Sequence, residues 1–148
     1  MDIGLDGGWI YVMMTSSNYN RFKLGRTKGN PLQRHKGIRT GDPGLALQAA
    51  YFIPASHGLK LSKVENALHR EFEARIPFLD GALSEWFIGN PKIACEWIEY
   101  VLGEWKDQPV TSDLNMLGDG RICRAFESDL RDLYAPPTSP DSSDGIPY

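Results

Sequence analysis

Cysteine is almost missing from this chain. Only Cys95 and Cys123 occur in 148 residues, far apart and with no CxxC or CxxH spacing near either. That excludes a zinc ribbon and a disulfide scaffold, and it fits a reducing compartment. Histidine is nearly as scarce, and His35, His57 and His69 do not have the spacing of a metal triad. Neither a dinucleotide-binding GxGxxG nor a P-loop is present. No apolar run approaches the roughly 20 residues of a membrane helix, and the opening MDIGLDGG is acidic, without a hydrophobic signal core. The expected location is cytoplasmic, with no membrane contact. Positive charge is not in excess either: the formal net charge is −3, which alone speaks against a nucleic-acid partner.

The distribution of charge speaks the other way. From Arg21 to Arg39 the chain carries Arg21, Lys23, Arg26, Lys28, Arg34, Lys36 and Arg39, with His35 among them and no acid. After Gln108, three arginines face seven acids, so the acidity is concentrated at the end. A local basic stripe is the electrostatic footprint of a polyanion site whatever the total charge; a solvated charged surface is the plain alternative. Hydrophobic content of 41% and charged content of 24% are ordinary for a globular protein. The length suits one domain with an appendage, and the core is large enough to fold without staples.

Trp9 to Met14 is an apolar run rich in aromatic and β-branched residues, hence a strand. Thr15 to Asn20 is turn chemistry. Arg21 to Arg26 alternates, with Phe22 and Leu24 on one face and Lys23 on the other, so the two segments form a hairpin. Asn30-Pro31 opens a helix to about Ile38, and Gly41-Asp42-Pro43-Gly44 stops it. Ala46 to Pro54 reads as a third strand. Ser62 caps a long amphipathic helix carrying Val64, Leu68 and Phe72, ended by Ile76-Pro77. Glu85 to Ile88 is a short strand. Asn90-Pro91 starts a last core helix with Ala94, Trp97, Ile98, Val101 and Leu102 on its apolar face. The expected fold is a small α/β (α+β) domain over residues 8–105, a mixed three- to four-stranded sheet flanked by helices. Residues 106–148 form an acidic extension, with a helix over 121–134 bearing Ile122, Phe126, Leu130 and Leu133, and disorder over 135–148.

Five short motifs stand in order. Trp9-Ile10-Tyr11 precedes Lys23-Leu24-Gly25-Arg26-Thr27, then Asn30-Pro31-Leu32-Gln33-Arg34, then Glu65-x-x-Leu68-His69-x-x-Phe72, then Glu85-Trp86-Phe87. Their order and spacing resemble the GIY-YIG nucleases from about Trp9 to Leu102, and the subgroup of restriction enzymes and phage-encoded proteins with lysine in place of the second motif's tyrosine. Trp9 replaces the first glycine and Lys23 the second tyrosine, so a two-tyrosine mechanism does not carry over. The asparagine that many members have near the end of the motif has no match here.

The resemblance implies a metal-dependent endonuclease acting on DNA, single- or double-stranded, of phage or defence origin. Phosphodiester hydrolysis needs an activated water, neutralisation of charge on the nonbridging oxygens, and stabilisation of the leaving oxygen. Glu65 is the expected anchor for Mg²⁺ (or Mn²⁺), with waters and phosphate oxygens completing the shell. Arg34 is a fork for phosphate. Tyr11 is a general base or a water-positioner. Free tyrosine has a pKa of about 10, so a base needs nearby cations, and Lys23 with the neighbouring arginines is expected to supply them while holding the phosphate. His69, one helical turn after Glu65, orients Glu65 or touches phosphate. Arg26, Lys28, His35, Lys36 and Arg39 are expected backbone contacts to DNA. Glu85 stays open between a solvent-facing residue and a carboxylate that backs the site. The rival readings are a catalytically weak nucleic-acid-binding module, and an inhibitor whose acidic tail mimics DNA; a protein partner for targeting is a further open point.

Overall fold

The first hairpin forms where its residues place it. β1 (Gly7–Thr15) and β2 (Asn18–Thr27) pair antiparallel from Trp9–Thr27 to Met14–Phe22. In the computed structural model, which describes residues 4–72 and 74–135, they lie at the centre of one six-stranded sheet. α1 (Pro31–Arg39) follows, its first turn capped by the Asn30 side chain accepting from Leu32 N–H at 2.9 Å. Then come β3 (Leu45–Pro54), α2 (Leu61–His69), β4 (Arg75–Pro77), β5 (Leu83–Ile88), α3 (Pro91–Lys106), β6 (Cys123–Ala125) and α4 (Glu127–Leu133). The strand order is β4-β5-β2-β1-β3-β6, and every paired neighbour is antiparallel.

β1 has a strand on each side and helices on both faces, which is why its sequence is apolar almost without interruption. Ile10 and Val12 enter one core with Leu24, Val64, Leu68 and Ile98. Trp9, Tyr11 and Met13 enter the other with Ala50, Phe52 and Leu130. The period-two alternation of a strand assigns them, and from Trp9 to Met13 both layers exclude water completely.

Four expectations need correction. The sheet is six-stranded and antiparallel rather than mixed with three or four strands, because β4 and β6 are three-residue segments too short to carry a visible alternation. α2 is not long: it starts after Lys60, places Ser62 in its first turn, and ends at His69. Phe72 lies beyond it and packs edge-on against Phe22, with ring centroids 5.0 Å apart, so Ile76-Pro77 belongs to a strand and ends no helix. Trp97 is not a core residue: it is 43% exposed, stacks on Tyr100 and donates its indole N–H to Glu71.

The helix over 121–134 is the fourth. Ile122 is buried in the first core, whereas Cys123 and Ala125 are buried in the second. That is strand alternation, and β6 pairs with β3 through Phe52–Cys123 and Ala50–Ala125. Only Glu127–Leu133 is helical, with Leu130 buried and Phe126 exposed. Trp9 donates its indole N–H to the Tyr134 hydroxyl at 2.8 Å, tying the end of this segment to the central strand. The expectation of disorder over 135–148 lies outside the described residues except for Ala135.

Candidate functional site

β2 and β5 run side by side for only three residue pairs: Arg21–Ile88, Phe22–Phe87 and Lys23–Trp86. β2 then continues to Thr27 paired with β1 alone. The gap this leaves is a cleft of about 290 Å³ lined by Arg26, Thr27, Arg34, Glu65 and Glu85. Its position explains its composition. α1 packs on one face of the sheet and carries Arg34; α2 packs on the other and carries Glu65. Only where the sheet opens can side chains from both layers meet.

Tyr11 reaches this place from the middle of β1. Its cross-strand neighbour is Gly25, not Lys23. A methyl group at Gly25 would collide with the Tyr11 hydroxyl and ring carbons, so the glycine of the Lys-Leu-Gly triplet makes room for the phenol. The Tyr11 hydroxyl is buried, with the Arg34 guanidinium close enough to interact with it but not in full hydrogen-bond geometry. Burial pushes its pKa above the ordinary tyrosine value; the Arg34 guanidinium beside it pulls the other way, and the Glu85 and Glu65 carboxylates add to the rise. The expected lowering by Lys23 is therefore corrected: the net shift is upward, and the lysine points its charge elsewhere. Lys23 Nζ lies 3.5 Å from Glu85 Oε2, an ion pair without hydrogen-bond geometry, since that oxygen has no hydrogen-bond partner.

Glu65 is buried, and the Arg26 guanidinium bonds its Oε1 at 2.7 Å. His69, on the same helix, turns to the backbone instead: its Nε2 is 2.9 Å from the Leu24 carbonyl, just past the last residue that β5 pairs. The imidazole thus anchors α2 to β2. His35 is corrected outright as a surface contact to DNA. It is buried and bonds the Leu45 carbonyl through Nε2 at 2.7 Å, holding α1 on β3. Lys28, Lys36 and Arg39 are exposed and outside the cleft, although Lys28 lines a larger cavity next to it.

The structure therefore brings Tyr11, Arg26, Arg34 and Glu65 together, with Lys23 at the margin through Glu85. The sequence reading left Glu85 open and missed Thr27. The Glu85-Trp86-Phe87 motif was the only signal for the first, and nothing but its place after Arg26 marked the second. Among the described residues no three metal-ligating His, Cys, Asp or Glu side chains gather. What the cleft offers is two carboxylates, Glu65 and Glu85, with the buried Tyr11 phenol behind them, an all-oxygen donor set suited to a hard divalent cation that keeps several waters. The Glu85 Oε2 is buried without a hydrogen-bond partner, so the residues present fit such an ion.

Fold and cleft together define a small antiparallel α+β domain with a two-layer polar site opened by parting strands. The chain belongs to the T5orf172 domain family, which matches residues 8–105, the span from β1 almost to the end of α3. The family occurs in phage-related, nuclease-associated proteins and connects this chain with DNA. No curated protein and no solved structure matches it. Among the described residues no helix is long and apolar enough to cross a membrane.

Proposed function

We propose that the chain is a metal-dependent endonuclease of GIY-YIG type that hydrolyses phosphodiester bonds in DNA. The observation that carries this reading is the buried Tyr11 hydroxyl, which faces the Arg34 guanidinium without a well-formed hydrogen bond and sits beside two carboxylates. A buried hydroxyl without a well-formed hydrogen bond costs up to about 1–3 kcal/mol, and a substrate or attacking water that bonds it recovers part of that energy.

Arg34 has a charge that cannot be lost and a planar fork that matches two phosphate oxygens. It reaches the cleft from an exposed helix position, so a phosphate can approach it from solvent. Tyr11, with its pKa held up, enters the reaction as a neutral phenol. In that state it orients the attacking water; it becomes a base only when added positive charge lowers its pKa. Glu65, with Glu85 beside it, would hold Mg²⁺ or Mn²⁺, and the bound ion supplies charge for the nonbridging oxygens and the leaving oxygen. Arg26 already neutralises part of Glu65 and is positioned to exchange that carboxylate for a phosphate oxygen. Lys23 holds Glu85 in the cleft by their ion pair.

The test is cleavage of supercoiled plasmid and of single-stranded DNA by the purified chain with Mg²⁺, with Mn²⁺ and with a chelator. Cleavage is expected with either metal and none with the chelator. Glu65→Gln and Arg34→Ala should each lower the rate by at least about 10²-fold, the scale of one preorganised charge. Metal-independent DNA binding with no cleavage of either substrate would replace the enzyme by a binding module on the same fold.

A further inference from the structure

A second cavity, about 500 Å³, adjoins the cleft and shares Arg26 and Thr27 with it. It lies between the start of β1, the end of β2 and the start of α2. Its rim carries Arg26, Lys28 and Lys60, against the single acid Asp6. Its floor is apolar: Ile53, Leu59 and Leu61, with the bare backbone of Gly7 and Gly8. A side chain at Gly8 would strike Leu61 at 2.5 Å, so the glycine lets the helix start close over the strand and leaves the cavity beside it open. The helix start adds donors. Lys60 is the N-cap of α2 and provides no side-chain acceptor; the Lys63 and Val64 N–H groups bond the Lys60 carbonyl, so the donors this end can offer a ligand are those of Leu61 and Ser62.

Cations on a rim above an apolar floor recognise an amphiphilic anion, and the volume falls in the roughly 300–1,000 Å³ range of small-ligand sites. A nucleotide unit has that chemistry: a charged phosphate and a flat, largely apolar base face. We propose that this cavity binds the nucleotide next to the scissile phosphate, with its backbone phosphate on Arg26, Lys28 and Lys60 and its base on Ile53, Leu59 and Leu61. The assignment rests on the nuclease reading of the adjoining cleft. It also makes a substrate preference: a base can enter such a cavity only when it is unpaired, so single-stranded or locally opened DNA is the substrate over intact duplex.

The experiment has two arms, so that failure of the subsite and failure of the nuclease reading give different results. In the first, thymidine 3′,5′-bisphosphate is titrated into ¹⁵N-labelled protein without metal. The amides of Gly7, Gly8 and Ser62 should shift, and Lys60→Ala with Lys28→Ala should weaken binding at least tenfold. Inorganic phosphate should bind more weakly and leave the Gly7 and Gly8 amides unmoved. Shifts confined to Arg34 and Glu65, or an unchanged affinity in the double variant, would overturn the subsite whether or not the chain cleaves DNA. In the second arm, single-stranded oligonucleotides carry one abasic position on either side of the cleavage site. Loss of the base on one side should lower kcat/KM at least tenfold while loss on the other should not. Equal cleavage of the two abasic oligonucleotides and the unmodified one would remove the base contact. Binding of the bisphosphate as expected with no cleavage of any oligonucleotide would keep the cavity as a nucleotide site and end the endonuclease reading.

Discussion

Tyr11 and Gly25 show how much of a site can depend on one missing methyl group. The phenol occupies the space over Gly25, and its hydroxyl reaches the cleft because nothing stands in the way. Gly25→Ala should displace the ring, and with it the hydroxyl, lowering any cleavage rate at least tenfold while Arg34→Lys tests a different point. A lysine keeps the charge but not the fork, so that variant should recover only a minor part of the rate; full recovery would mean that charge alone matters. Tyr11→Phe keeps the packing and removes only the hydroxyl. Near-complete loss of cleavage with an unchanged melting temperature is expected. The difference in tyrosinate absorbance between wild type and Tyr11→Phe should show its step above pH 10, because burial raises this pKa; a step below that value in metal-free protein would contradict the neutral phenol. The two tyrosine measurements separate the hydroxyl's chemistry from its packing.

At the scale of elements, the site depends on where β5 stops accompanying β2. His69 bonds the Leu24 carbonyl and His35 bonds the Leu45 carbonyl, so two helices are each fixed to a strand by one imidazole. From sequence, His35 reads as a contact to the DNA backbone and His69 as a residue that orients Glu65 or touches phosphate. A histidine on a helix beside cations looks the same in one dimension whether it faces solvent or a carbonyl, and only the packing of the helix decides. His69→Phe should fill the space but leave the carbonyl unpaired, at a cost of about 1–3 kcal/mol. The expected consequence is a lower melting temperature, read by circular dichroism, together with a reduced cleavage rate, since α2 also carries Glu65. An unchanged melting temperature would show that the bond does not hold the helix.

At the scale of the whole molecule, the segment 110–134 contributes to both cores. Ile122, Cys123, Ala125 and Leu130 are all at most 4% exposed, and each fully buried large apolar side chain is worth roughly 1.5–3 kcal/mol. Losing several of them, with the Trp9–Tyr134 bond, approaches the 5–15 kcal/mol total of a typical domain. Deleting Pro109 to Tyr148 should therefore leave a chain with no cooperative melting transition; a cooperative melt like that of the full chain would make β6 and α4 dispensable. Alkaline pH gives a second global test. Burial holds the Cys95 thiol up to about 12 and the Cys123 thiol up to about 11, from 9.0, and pushes Tyr51 upward as well. These groups stay protonated in the fold and ionise earlier in the unfolded chain. The stability they contribute is intact below about pH 9 and is lost as pH rises towards 12. Melting temperatures measured across that window should fall steadily.

The order of the first strands and helices was determined by local chemistry: the apolar run of β1, the alternation of β2, and the Asn30-Pro31 and Asn90-Pro91 starts, whose caps need only neighbours in the chain. The joint occurrence of Tyr11, Arg34 and Glu65 was legible for a similar reason, since each stands in a motif of residues close in sequence. Other features required the folded molecule. β6 is a strand because β3, far back along the chain, supplies its hydrogen bonds, and β4 because β5 does; three residues hold too little periodicity to announce either. Glu85 enters the site and His35 leaves it because burial and facing are properties of packed layers. The cleft itself exists because two strands part after Lys23, and a gap between strands is a relation that no single segment encodes.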